Sequence, residues 1–369
     1  MNGPLRVAVD GTSLLGQRTG VGHVTAGLVD ALARRDGLDV TVFAVTWRGR
    51  GDLAARMPPG ARAATTRFPA RFARALWQRT DHPRVERWTG PVDVVHAANF
   101  VAPPARAPVV VTIHDLTFAR YPEMCTADVL RYPRLIRRAL ERGATVHVVS
   151  DFVGTEVRAE FGLPPERVVR VYPGLRPSGG GEPAAGRRLA GADRYVLALG
   201  TVEPRKNLPT LVRAFDLVAG SSTDLHLVVA GPDGWDRDAF LAATTAAHHD
   251  DRIRRLGYVS EADRRDLMAG AAVLAYPSLY EGFGHPPLEA MAAGIPVVAA
   301  QAGALPEVLG DAALLVDPGD EMAIAEGLLQ VAGDDELRAD LVVRGRDRAA
   351  SFSWDRAASE FETLYRSRG

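Results

Sequence analysis

The chain has 369 residues, of which 47% are hydrophobic and 24% are charged, and its formal net charge is −1. This composition is typical of a globular protein and excludes a disordered chain, and the length is sufficient for two domains. The single cysteine, Cys125, excludes an internal disulfide and indicates a reducing compartment. Because the sequence shows neither a secretory leader nor a run of about 18 apolar residues, we expect a cytoplasmic protein.

Short apolar runs rich in Val, Leu and Ala recur along the chain, with longer helical patterns between them. The runs are nearly continuous in apolar character, which is typical of parallel strands covered on both faces. Their alternation with helices predicts an α/β protein with two doubly wound, Rossmann-like sheets. The predicted strands are residues 6–9, 40–45, 92–96, 109–114, 146–150 and 168–172, followed by 195–200, 226–231, 254–258, 272–276, 296–300 and 313–316.

The domain boundary is indicated by residues 177–183, a flexible stretch of Pro, Ser and Gly. We therefore predict an amino-terminal domain of residues 1–176 and a carboxy-terminal domain of residues 177–352. The final segment, residues 353–369, contains an amphipathic helix with Ser353 as its N-cap. We expect this helix to return to the amino-terminal domain.

A glycine-rich stretch, residues 16–23, follows the first predicted strand and precedes a predicted helix over residues 24–33. A glycine-rich turn between a strand and a helix is where α/β proteins often bind phosphate. The stretch lacks the G-x-G-x-x-G spacing of dinucleotide-binding proteins, so on its own it is weak evidence for a cofactor.

Charge is unevenly distributed, because residues 1–177 have a balance of +9 and residues 178–369 a balance of −10. Within the basic half, one helical face combines apolar side chains with flanking arginines and with Trp77 at its border; its apolar members are Phe68, Phe72, Ala75 and Leu76. Two interpretations stay open. The helix lies on the inner face of a membrane, or it packs on its domain with a solvated basic face.

His114 and Asp115 come at the carboxyl end of the predicted strand 109–114. Open α/β sheets bind their ligands at this end of the strands. A histidine at the end of a strand is also compatible with a structural role, and Asp115 with orienting its loop. The residues alone leave these alternatives open.

Lys206 is the only lysine of the chain, against 43 arginines, and it follows Arg205 in the segment 200–207. Since arginine is used at every other cationic position, the retained ammonium indicates a position that needs a compact point charge. Two adjacent cations between a strand and a helix predict a phosphate-binding loop. The alternative is a solvated lysine without a role.

The most specific segment is residues 276–294, with the sequence YPSLYEGFGHPPLEAMAAG. Gly282 and Gly284 allow a tight loop, and Pro286 and Pro287 suit the first turn of the helix that follows. The exposed amides of such a loop and the dipole of the helix together form an anion site.

Two carboxylates, Glu281 and Glu289, flank this predicted anion site. Beside a diphosphate they are repulsive unless they accept hydrogen bonds from neutral donors, and hydroxyl groups of a sugar or a ribose are such donors. The alternative is that a glutamate near the amino terminus of this helix only interacts favourably with the helix dipole.

Glu281 and Glu289 match the Glu-x7-Glu pattern of retaining glycosyltransferases of the GT-B type. The surrounding EGFGHPPLEAM is similar to the "glycosyl transferases group 1" family, glycosyltransferase family 4, and residues 200–207 resemble that family's phosphate-binding loop. The resemblance covers the whole chain and is strongest from residue 195 to 318. It implies a GT-B fold, in which two Rossmann-like domains face a central cleft and the carboxy-terminal helix returns to the amino-terminal domain.

The resemblance also implies roles for single residues of the carboxy-terminal domain. Arg205 and Lys206 would bind the donor diphosphate and stabilise the leaving nucleotide. Glu281 would accept hydrogen bonds from the donor sugar, and Glu289 from the ribose. Many members carry a further arginine where this chain has Thr201, so the cationic contact depends on Arg205 and Lys206. The donor would also contact the loop at Phe283, Gly284, His285 and Pro286.

In the amino-terminal domain the resemblance implies that Gly20 and Gly22 lie near the donor phosphate, and that Arg18 faces either the phosphate or the acceptor. It further implies that His114 contacts the transferred sugar. The predicted catalytic residues are therefore His114, Arg205, Lys206 and Glu281.

The implied activity is a retaining hexosyl transfer from a nucleotide-diphosphate sugar to an acceptor hydroxyl. The family needs no obligatory metal, and the sequence has no metal-spaced His/Cys cluster. The segment Asp236–Asp238 imitates an Asp-x-Asp motif, but we expect it to cap the following helix. We predict no cofactor besides the donor substrate and no nucleic-acid partner.

GDP-mannose is the first choice of donor, because the loops at residues 19–22, 112–115 and 203–207 look like the mannosyltransferase-like part of the family. UDP sugars and dTDP-rhamnose stay open. We expect the acceptor to be a lipid-linked glycan, a polysaccharide end or a small molecule. The first two acceptors would place the enzyme in polysaccharide biosynthesis. Competing interpretations are a nucleotide-sugar epimerase of the same architecture and a non-catalytic nucleotide-sugar-binding subunit. An NAD-dependent dehydrogenase lacks its fingerprint.

Overall fold

The computed structural model describes residues 3–16, 20–47, 50–175 and 180–369. The chain divides into two compact units, which we call the amino-terminal unit (Met1–Gly174 with Phe352–Gly369) and the carboxy-terminal unit (Leu175–Ser351). Residues 177–179 of the predicted linker lie outside the described residues, and Pro183 already begins a helix.

The amino-terminal unit contains a sheet of seven parallel strands in the order β3-β2-β1-β4-β5-β6-β7, counted over the described residues. The strands are β1 (Leu5–Asp10), β2 (Leu38–Thr46), β3 (Ala61–Arg67), β4 (Val94–Ala97), β5 (Val109–Ile113), β6 (Thr145–Val148) and β7 (Val168–Arg170). The helices before the boundary are α1 (Gly20–Ala33), α2 (Arg50–Ala55), α3 (Ala70–Trp77), α4 (Glu86–Thr89), α5 (Thr117–Arg120), α6 (Tyr132–Glu141) and α7 (Asp151–Phe161).

Both faces of this sheet are buried, as the continuous apolar runs predict. Val7 and Val9 of β1 belong to one core cluster, whereas Ala8 between them belongs to another. Strand β3 is missing from the sequence prediction. Its residues, ARAATTR, form no aliphatic run, and β3 pairs only with β2 at the edge of the sheet, so little apolar surface is required there.

The carboxy-terminal unit contains six parallel strands in the order β10-β9-β8-β11-β12-β13 within the described residues. They are β8 (Arg194–Leu199), β9 (Leu225–Ala230), β10 (Ile253–Gly257), β11 (Val273–Tyr276), β12 (Val297–Ala300) and β13 (Leu314–Val316). The helices are α8 (Pro183–Ala190), α9 (Leu208–Ser221), α10 (Arg237–Ala246), α11 (Glu261–Gly270), α12 (His285–Ala292), α13 (Leu305–Leu309), α14 (Glu321–Gly333) and α15 (Asp335–Ala350).

The last helix, α16 (Trp354–Arg366), packs on the amino-terminal unit, which confirms the predicted return. Ser353 caps it by accepting a hydrogen bond from the backbone N–H of Arg356 at 3.2 Å. At its start, the indole of Trp354 lies against Gly174, where any Cβ would overlap the tryptophan. Glycine is therefore required at this close approach.

A buried chain of hydrogen bonds joins α16 to three neighbouring strands. The Tyr365 hydroxyl lies 2.6 Å from His96 Nδ1, and His96 Nε2 lies 2.7 Å from Thr112 Oγ1. Thr112 Oγ1 is 2.9 Å from His147 Nδ1, and His147 Nε2 is 3.0 Å from the carbonyl oxygen of Val171. Because the carbonyl oxygen of Val171 can only accept, His147 Nε2 donates to it and His147 Nδ1 accepts from the Thr112 hydroxyl. Thr112 Oγ1 therefore accepts from His96 Nε2, and His96 Nδ1 accepts from the Tyr365 hydroxyl.

The neutral state of both histidines follows from their surroundings. Burial lowers the pKa of His147 to about 3, and burial with the neighbouring histidines lowers the pKa of His96 well below its usual value. Each ring can therefore use one nitrogen as a donor and the other as an acceptor.

Helix α3 does not pack on its domain through the apolar face that the sequence shows. Ala73 and Trp77 are buried, whereas Phe72 and Leu76 are 53% and 40% exposed. Phe68 precedes the helix, which begins at Ala70. Among the described residues, no helix combines the length and the hydrophobicity that a membrane crossing requires.

In each sheet the strand order reverses once, between β1 and β4 in the first and between β8 and β11 in the second. The loops that leave two such strands diverge to opposite sides and leave a crevice at the carboxyl edge of the sheet. These two edges are where the fold favours ligand binding.

Candidate active site

The loops that follow β8 and β11 are joined at the reversal point of the carboxy-terminal sheet. Asn207, with φ of 56°, precedes α9, and its Nδ2 donates to the carbonyl oxygens of Pro277 (3.2 Å) and Pro318 (2.7 Å). The backbone N–H of Leu279 donates to the carbonyl of Arg205 at 2.9 Å. These bonds hold the two predicted cations beside the segment that carries Glu281.

Lys206 has a largely buried ammonium with two oxygen partners. Its Nζ lies 2.6 Å from Glu281 Oε1 and 2.7 Å from the hydroxyl of Tyr276, and 4.7 Å from the centre of the Tyr276 ring. A Cβ on Gly200 would lie 3.3 Å from Lys206 Cε. Glycine therefore gives the lysine stem the room that it needs at the end of β8.

Arg205 engages the other oxygen of the same carboxylate. Its Nη1 lies 2.7 Å from Glu281 Oε2, and its Nη2 donates to Glu203 Oε1 at 2.6 Å. Nη1 also donates to the carbonyl of Tyr280 at 3.2 Å. Both oxygens of Glu281 are thus held by cations, and we call Glu203, Arg205, Lys206, Tyr276 and Glu281 the cation–carboxylate cluster.

The pKa values in this cluster show which charges the surroundings favour. Burial acts to raise the pKa of Glu281, but the charges of Arg205 and Lys206 outweigh it and lower that pKa to about 2. Burial, assisted by Arg205, lowers the pKa of Lys206 although Glu281 acts in the opposite direction. Glu281 is therefore firmly ionised, and the ammonium of Lys206 would gain from additional negative charge.

The glycine- and proline-rich loop leads into α12, which begins at His285 with Pro286 and Pro287 in its first turn, as predicted. The rings of Phe283 and His285 lie 4.9 Å apart, and Phe283 is buried. Helix α12 therefore begins directly after the loop that carries Glu281. The free backbone N–H groups and the dipole at the start of this helix favour binding of an anion.

Glu289, one turn into α12, has a different ionic partner. Its buried carboxylate forms a salt bridge with Arg264 of α11. The structure thus brings Arg205, Lys206 and Glu281 into one cluster and pairs Glu289 separately. Its predicted contact with a ribose stays a prediction.

His114 follows β5 in the amino-terminal unit. Its Nε2 lies 2.9 Å from the carbonyl oxygen of Ala98, so Nε2 carries the proton and Nδ1 is an acceptor. Burial lowers the pKa of His114, and the opposing effects of the Ala98 hydrogen bond and of Asp115 are smaller. His114 is therefore a neutral acceptor. Asp115 accepts from the N–H and the hydroxyl of Thr117 at 2.9 and 2.8 Å, which orients its loop.

Gly20 and Gly22 belong to the first turn of α1, which begins at Gly20 and not at residue 24 as predicted. The sequence prediction failed there because glycine usually signals a loop, whereas a first turn has free backbone N–H groups and tolerates it. Arg18 lies outside the described residues, as do its neighbours 17 and 19.

Asp236 precedes α10 as expected, but its side chain makes no capping hydrogen bond, so this part of the prediction is wrong. Asp238 is almost fully exposed beside Arg237. Among the residues that the structure describes, no three His, Cys, Asp or Glu side chains are grouped to hold a metal ion.

Comparison with known proteins identifies the family. Residues 185–348 match the glycosyl transferases group 1, and residues 18–178 match Glycosyltransferase Family 4. The chain is 33% identical over 296 residues to the O-antigen chain mannosyltransferase B of Escherichia coli, covering 77% of this chain and 78% of that relative. The chain belongs to glycosyltransferase family 4.

Further relatives of this glycosyltransferase have similar coverage. The phosphatidyl-myo-inositol mannosyltransferase of Mycolicibacterium smegmatis is 28% identical over 321 residues, which are 83% of this chain and 80% of that protein. The structure of Anabaena HepE in complex with UDP and glucose has a TM-score of 0.74 at 21% identity, covering 98% of this chain and 100% of that one. This likeness confirms the fold, two Rossmann-like domains of the GT-B class.

Three residues that contact the predicted site residues were not named from the sequence, namely Tyr276, Glu203 and Arg264. Tyr276 ends a strand inside the most specific segment, and Glu203 is two residues from Arg205, so position alone could have suggested both. Arg264 gives no such signal, because it is one of 43 arginines and meets Glu289 only through the packing of α11 beside α12.

Proposed function

We propose that this glycosyltransferase transfers a hexose, mannose in the first instance, from a nucleotide-diphosphate sugar to an acceptor hydroxyl with retention of anomeric configuration. The observation that carries the proposal is the pairing of Arg205 and Lys206 with Glu281 at the reversal point of the carboxy-terminal sheet. GDP-mannose is the preferred donor, since the first relatives are named mannosyltransferases. UDP sugars are the competing donors, because the structure of HepE was solved with UDP and glucose.

In the proposed reaction the diphosphate binds Arg205, Lys206 and the amino terminus of α12. The bond from the anomeric carbon to the phosphate oxygen breaks, and the two cations stabilise the charge of the leaving diphosphate. The acceptor oxygen forms its bond on the same face, and its proton passes to the departing phosphate oxygen. No separate general base is needed.

The diphosphate would also change the partners of Glu281. Once phosphate oxygens bind Arg205 and Lys206 in place of Glu281, the carboxylate of Glu281 can accept hydrogen bonds from the donor sugar. The neutral Nδ1 of His114 is suited to accept from another sugar hydroxyl. We propose both as sugar contacts, with Glu289 as the contact to the ribose.

A panel of nucleotides tests the proposal. Melting temperatures are measured with GDP, UDP, ADP and dTDP, and the sugars of the stabilising nucleotide are then offered with and without acceptor, in the presence of EDTA. We expect stabilisation by GDP, and release of GDP from GDP-mannose that persists in EDTA. Conversion of the donor to an epimer without any release of nucleotide supports an isomerase instead. Nucleotide binding without turnover of any donor supports the non-catalytic subunit.

Replacement of Glu281 separates sugar recognition from nucleotide binding. In Glu281→Ala we expect turnover of the sugar donor to fall by roughly 10²–10³-fold, the scale for loss of one preorganised charged group. Affinity for the free nucleoside diphosphate should be retained, because Arg205 and Lys206 lose a competing anion. Calorimetry with both ligands measures this, with the exposed Glu326→Ala as control. Equal loss for donor and free nucleotide contradicts the assignment.

We also propose that the amino-terminal unit contacts an anionic membrane through α3. Phe72 and Leu76 are exposed on α3, Arg79 is exposed just after this helix, and the amino-terminal half of the chain is basic. Sedimentation with phosphatidylglycerol vesicles tests this. We expect binding that weakens with salt and in the double variant Phe72→Ser, Leu76→Ser. Equal binding to neutral phosphatidylcholine vesicles opposes it.

A further inference from the structure

A pocket of about 440 Å³ lies wholly within the amino-terminal unit, towards the amino edge of its sheet. Its lining includes the segment 102–108, the first residue of β5, Val109, and the residues 142–144 that lead into β6. His114 follows the opposite end of β5, so the pocket is separate from the residues proposed for hexosyl transfer. The volume lies within the usual range of small-molecule sites in proteins.

The walls of this pocket are held in place by the backbone. The carbonyl of Pro104 accepts from the N–H of Val85 at 3.0 Å, and the carbonyl of Pro108 accepts from the N–H of Val95 at 2.9 Å. The prolines of the lining also have a fixed φ angle. The pocket is therefore formed before any ligand binds, which favours affinity because no loop has to be ordered.

Arg142, at the end of α6, gives the pocket a fixed cation. Its Nε donates to Asp81 Oδ1 at 2.9 Å, and its Nη2 donates to the carbonyl of Thr80 at 2.8 Å. Burial lowers the pKa of Arg142, although Asp81 acts in the opposite direction. This guanidinium would therefore gain from additional negative charge nearby.

The charges of the lining do not balance. Its cations are Arg84, Arg106 and Arg142 and its anion is Asp81, so three positive charges less one negative charge give +2. Asp81 is already shared by Arg142 and by Arg138, at 2.9 and 3.0 Å. Among the described residues, no carboxylate forms a salt bridge with Arg84 or Arg106. Both guanidinium groups are thus available to an anion.

The size of this charge favours one class of anion. A phosphate monoester carries about −1.5 to −2 at neutral pH, which matches a balance of +2. A planar guanidinium can donate two parallel hydrogen bonds to phosphate oxygens. A monocarboxylate or a phosphodiester would neutralise one charge only, and a neutral ligand would leave both cations without a counter-charge.

The remaining lining determines what the phosphate is attached to. Apart from its four charged residues, the pocket is lined by alanine, proline, valine and glycine. These small side chains leave room for a ring and cover it with apolar surface. Ligand sites commonly combine such apolar walls with a few fixed polar groups.

We propose that this pocket binds a small phosphate monoester, with its phosphate on Arg84 and Arg106 and its ring against the alanine and proline walls. Hexose phosphates belong to this class of ligand. The site is distinct from the cation–carboxylate cluster, and the inference does not depend on the proposed hexosyl transfer.

Phosphorus-31 NMR on the full chain tests the pocket, with D-mannose 6-phosphate as the probe. We expect saturable binding to the wild type, and an affinity at least tenfold lower in the double variant Arg84→Gln, Arg106→Gln, which is roughly the scale for loss of a hydrogen bond to a charged group. The matched control, Arg87→Gln with Arg158→Gln, removes the same two charges from exposed positions of the same unit and should bind like the wild type.

Lys206→Ala separates this pocket from the cation–carboxylate cluster, because Lys206 belongs to the carboxy-terminal unit. We expect this variant to retain probe binding, excess D-mannose to leave the probe bound, and inorganic phosphate to bind more weakly than the ester. Circular dichroism checks folding. If the double variant does not fold, the exposed Arg106→Gln decides by the same tenfold criterion.

Four results would overturn the inference. They are the absence of saturable probe binding to the wild type, wild-type affinity in a folded pocket variant, an equal loss in the matched control, and loss of probe binding in Lys206→Ala. An affinity for inorganic phosphate equal to that for the ester contradicts the role of the apolar walls. Failure of hexosyl transfer in the wild type would leave the binding result unchanged.

Discussion

A single ammonium occupies a position where the geometry does not suit a guanidinium. Lys206 Nζ fits between two oxygens, of Tyr276 and Glu281, at 2.7 and 2.6 Å, and its side chain is only 12% exposed. A planar fork with five donors would be too wide for this space, which the neighbouring Arg205 already flanks. The use of lysine once in the chain therefore has a local structural reason.

Substitution of Lys206 should affect catalysis more than folding. We expect Lys206→Ala to lower turnover by roughly 10²–10³-fold, the scale for removal of one preorganised stabiliser of charge. Lys206→Arg should not restore the full rate, because the guanidinium cannot reach the same two oxygens without displacing Arg205. Steady-state kinetics with saturating donor measures both. A wild-type rate in the alanine variant removes Lys206 from the site.

The lowered pKa of Lys206 predicts a pH dependence of nucleotide binding. As pH rises through this pKa, which lies below the ordinary 10.5, the ammonium loses its charge and the diphosphate loses an attraction. Affinity should therefore fall at alkaline pH in the wild type. In Lys206→Arg the cation persists, so the ratio of the two dissociation constants should change between pH 7 and 10. A constant ratio contradicts the prediction. Titration of the nucleotide's own base does not change the ratio, because both variants bind the same nucleotide.

The cations and the paired glutamates could be predicted from the sequence, because unusual composition and fixed spacing carry that information locally. The partners that these charged groups have in the structure could not be predicted. That Glu281 holds both cations depends on contact between segments 75 residues apart along the chain. Similarly, only the structure shows that Glu289 pairs with Arg264, since packing and not spacing selects one arginine among many.

At the level of elements, α16 is joined to β4, β5 and β6 through one directional chain of hydrogen bonds. The chain ends at the carbonyl of Val171, so Tyr365 is its first donor and His96 Nδ1 its first acceptor. Since every group is buried and neutral, loss of one donor leaves an acceptor without a partner in a dry environment.

The variant Tyr365→Phe tests this connection. It keeps the ring and removes only the hydroxyl, so we expect a loss of roughly 1–3 kcal/mol in the free energy of unfolding, the cost of an unsatisfied buried acceptor. Denaturant unfolding followed by circular dichroism measures it. Tyr258→Phe, at a tyrosine that is 61% exposed, is the matched control and should change little. Equal stability of the two variants opposes the directional chain.

Twelve of the strands could be predicted because buried parallel strands require continuous apolar runs. Strand β3 could not, since an edge strand with alanine, threonine and arginine satisfies its backbone without such a run. The buried side of α3 could not be predicted either. Tertiary contacts of Ala73 and Trp77 select that side, while two larger apolar residues are left exposed.

On the scale of the whole molecule, the two units differ in continuity. The carboxy-terminal unit is one uninterrupted segment, Leu175–Ser351, whereas the amino-terminal unit needs Phe352–Gly369 from the other end of the sequence. Helix α16 adds Phe361, Leu364 and Tyr365 to the amino-terminal core, so that core is incomplete without it.

Deletion of residues 352–369 should therefore affect the two units unequally. We expect loss of cooperative unfolding in the amino-terminal unit, while nucleoside-diphosphate affinity persists, because the cation–carboxylate cluster lies in the other unit. Calorimetric scans with and without nucleotide measure this. Deletion of residues 367–369, beyond α16, is the control. A normal amino-terminal transition in the long deletion contradicts the expectation.

The return of α16 also orders events on the ribosome. Domains usually fold as they emerge, with the amino-terminal one first. Here the segment that is made first must wait until residues 352–369 have been translated, while the middle of the polypeptide already has its full core. The nascent amino-terminal sheet would expose the groove for α16 throughout that interval, so a holding chaperone would be most useful between the synthesis of β7 and that of the final helix.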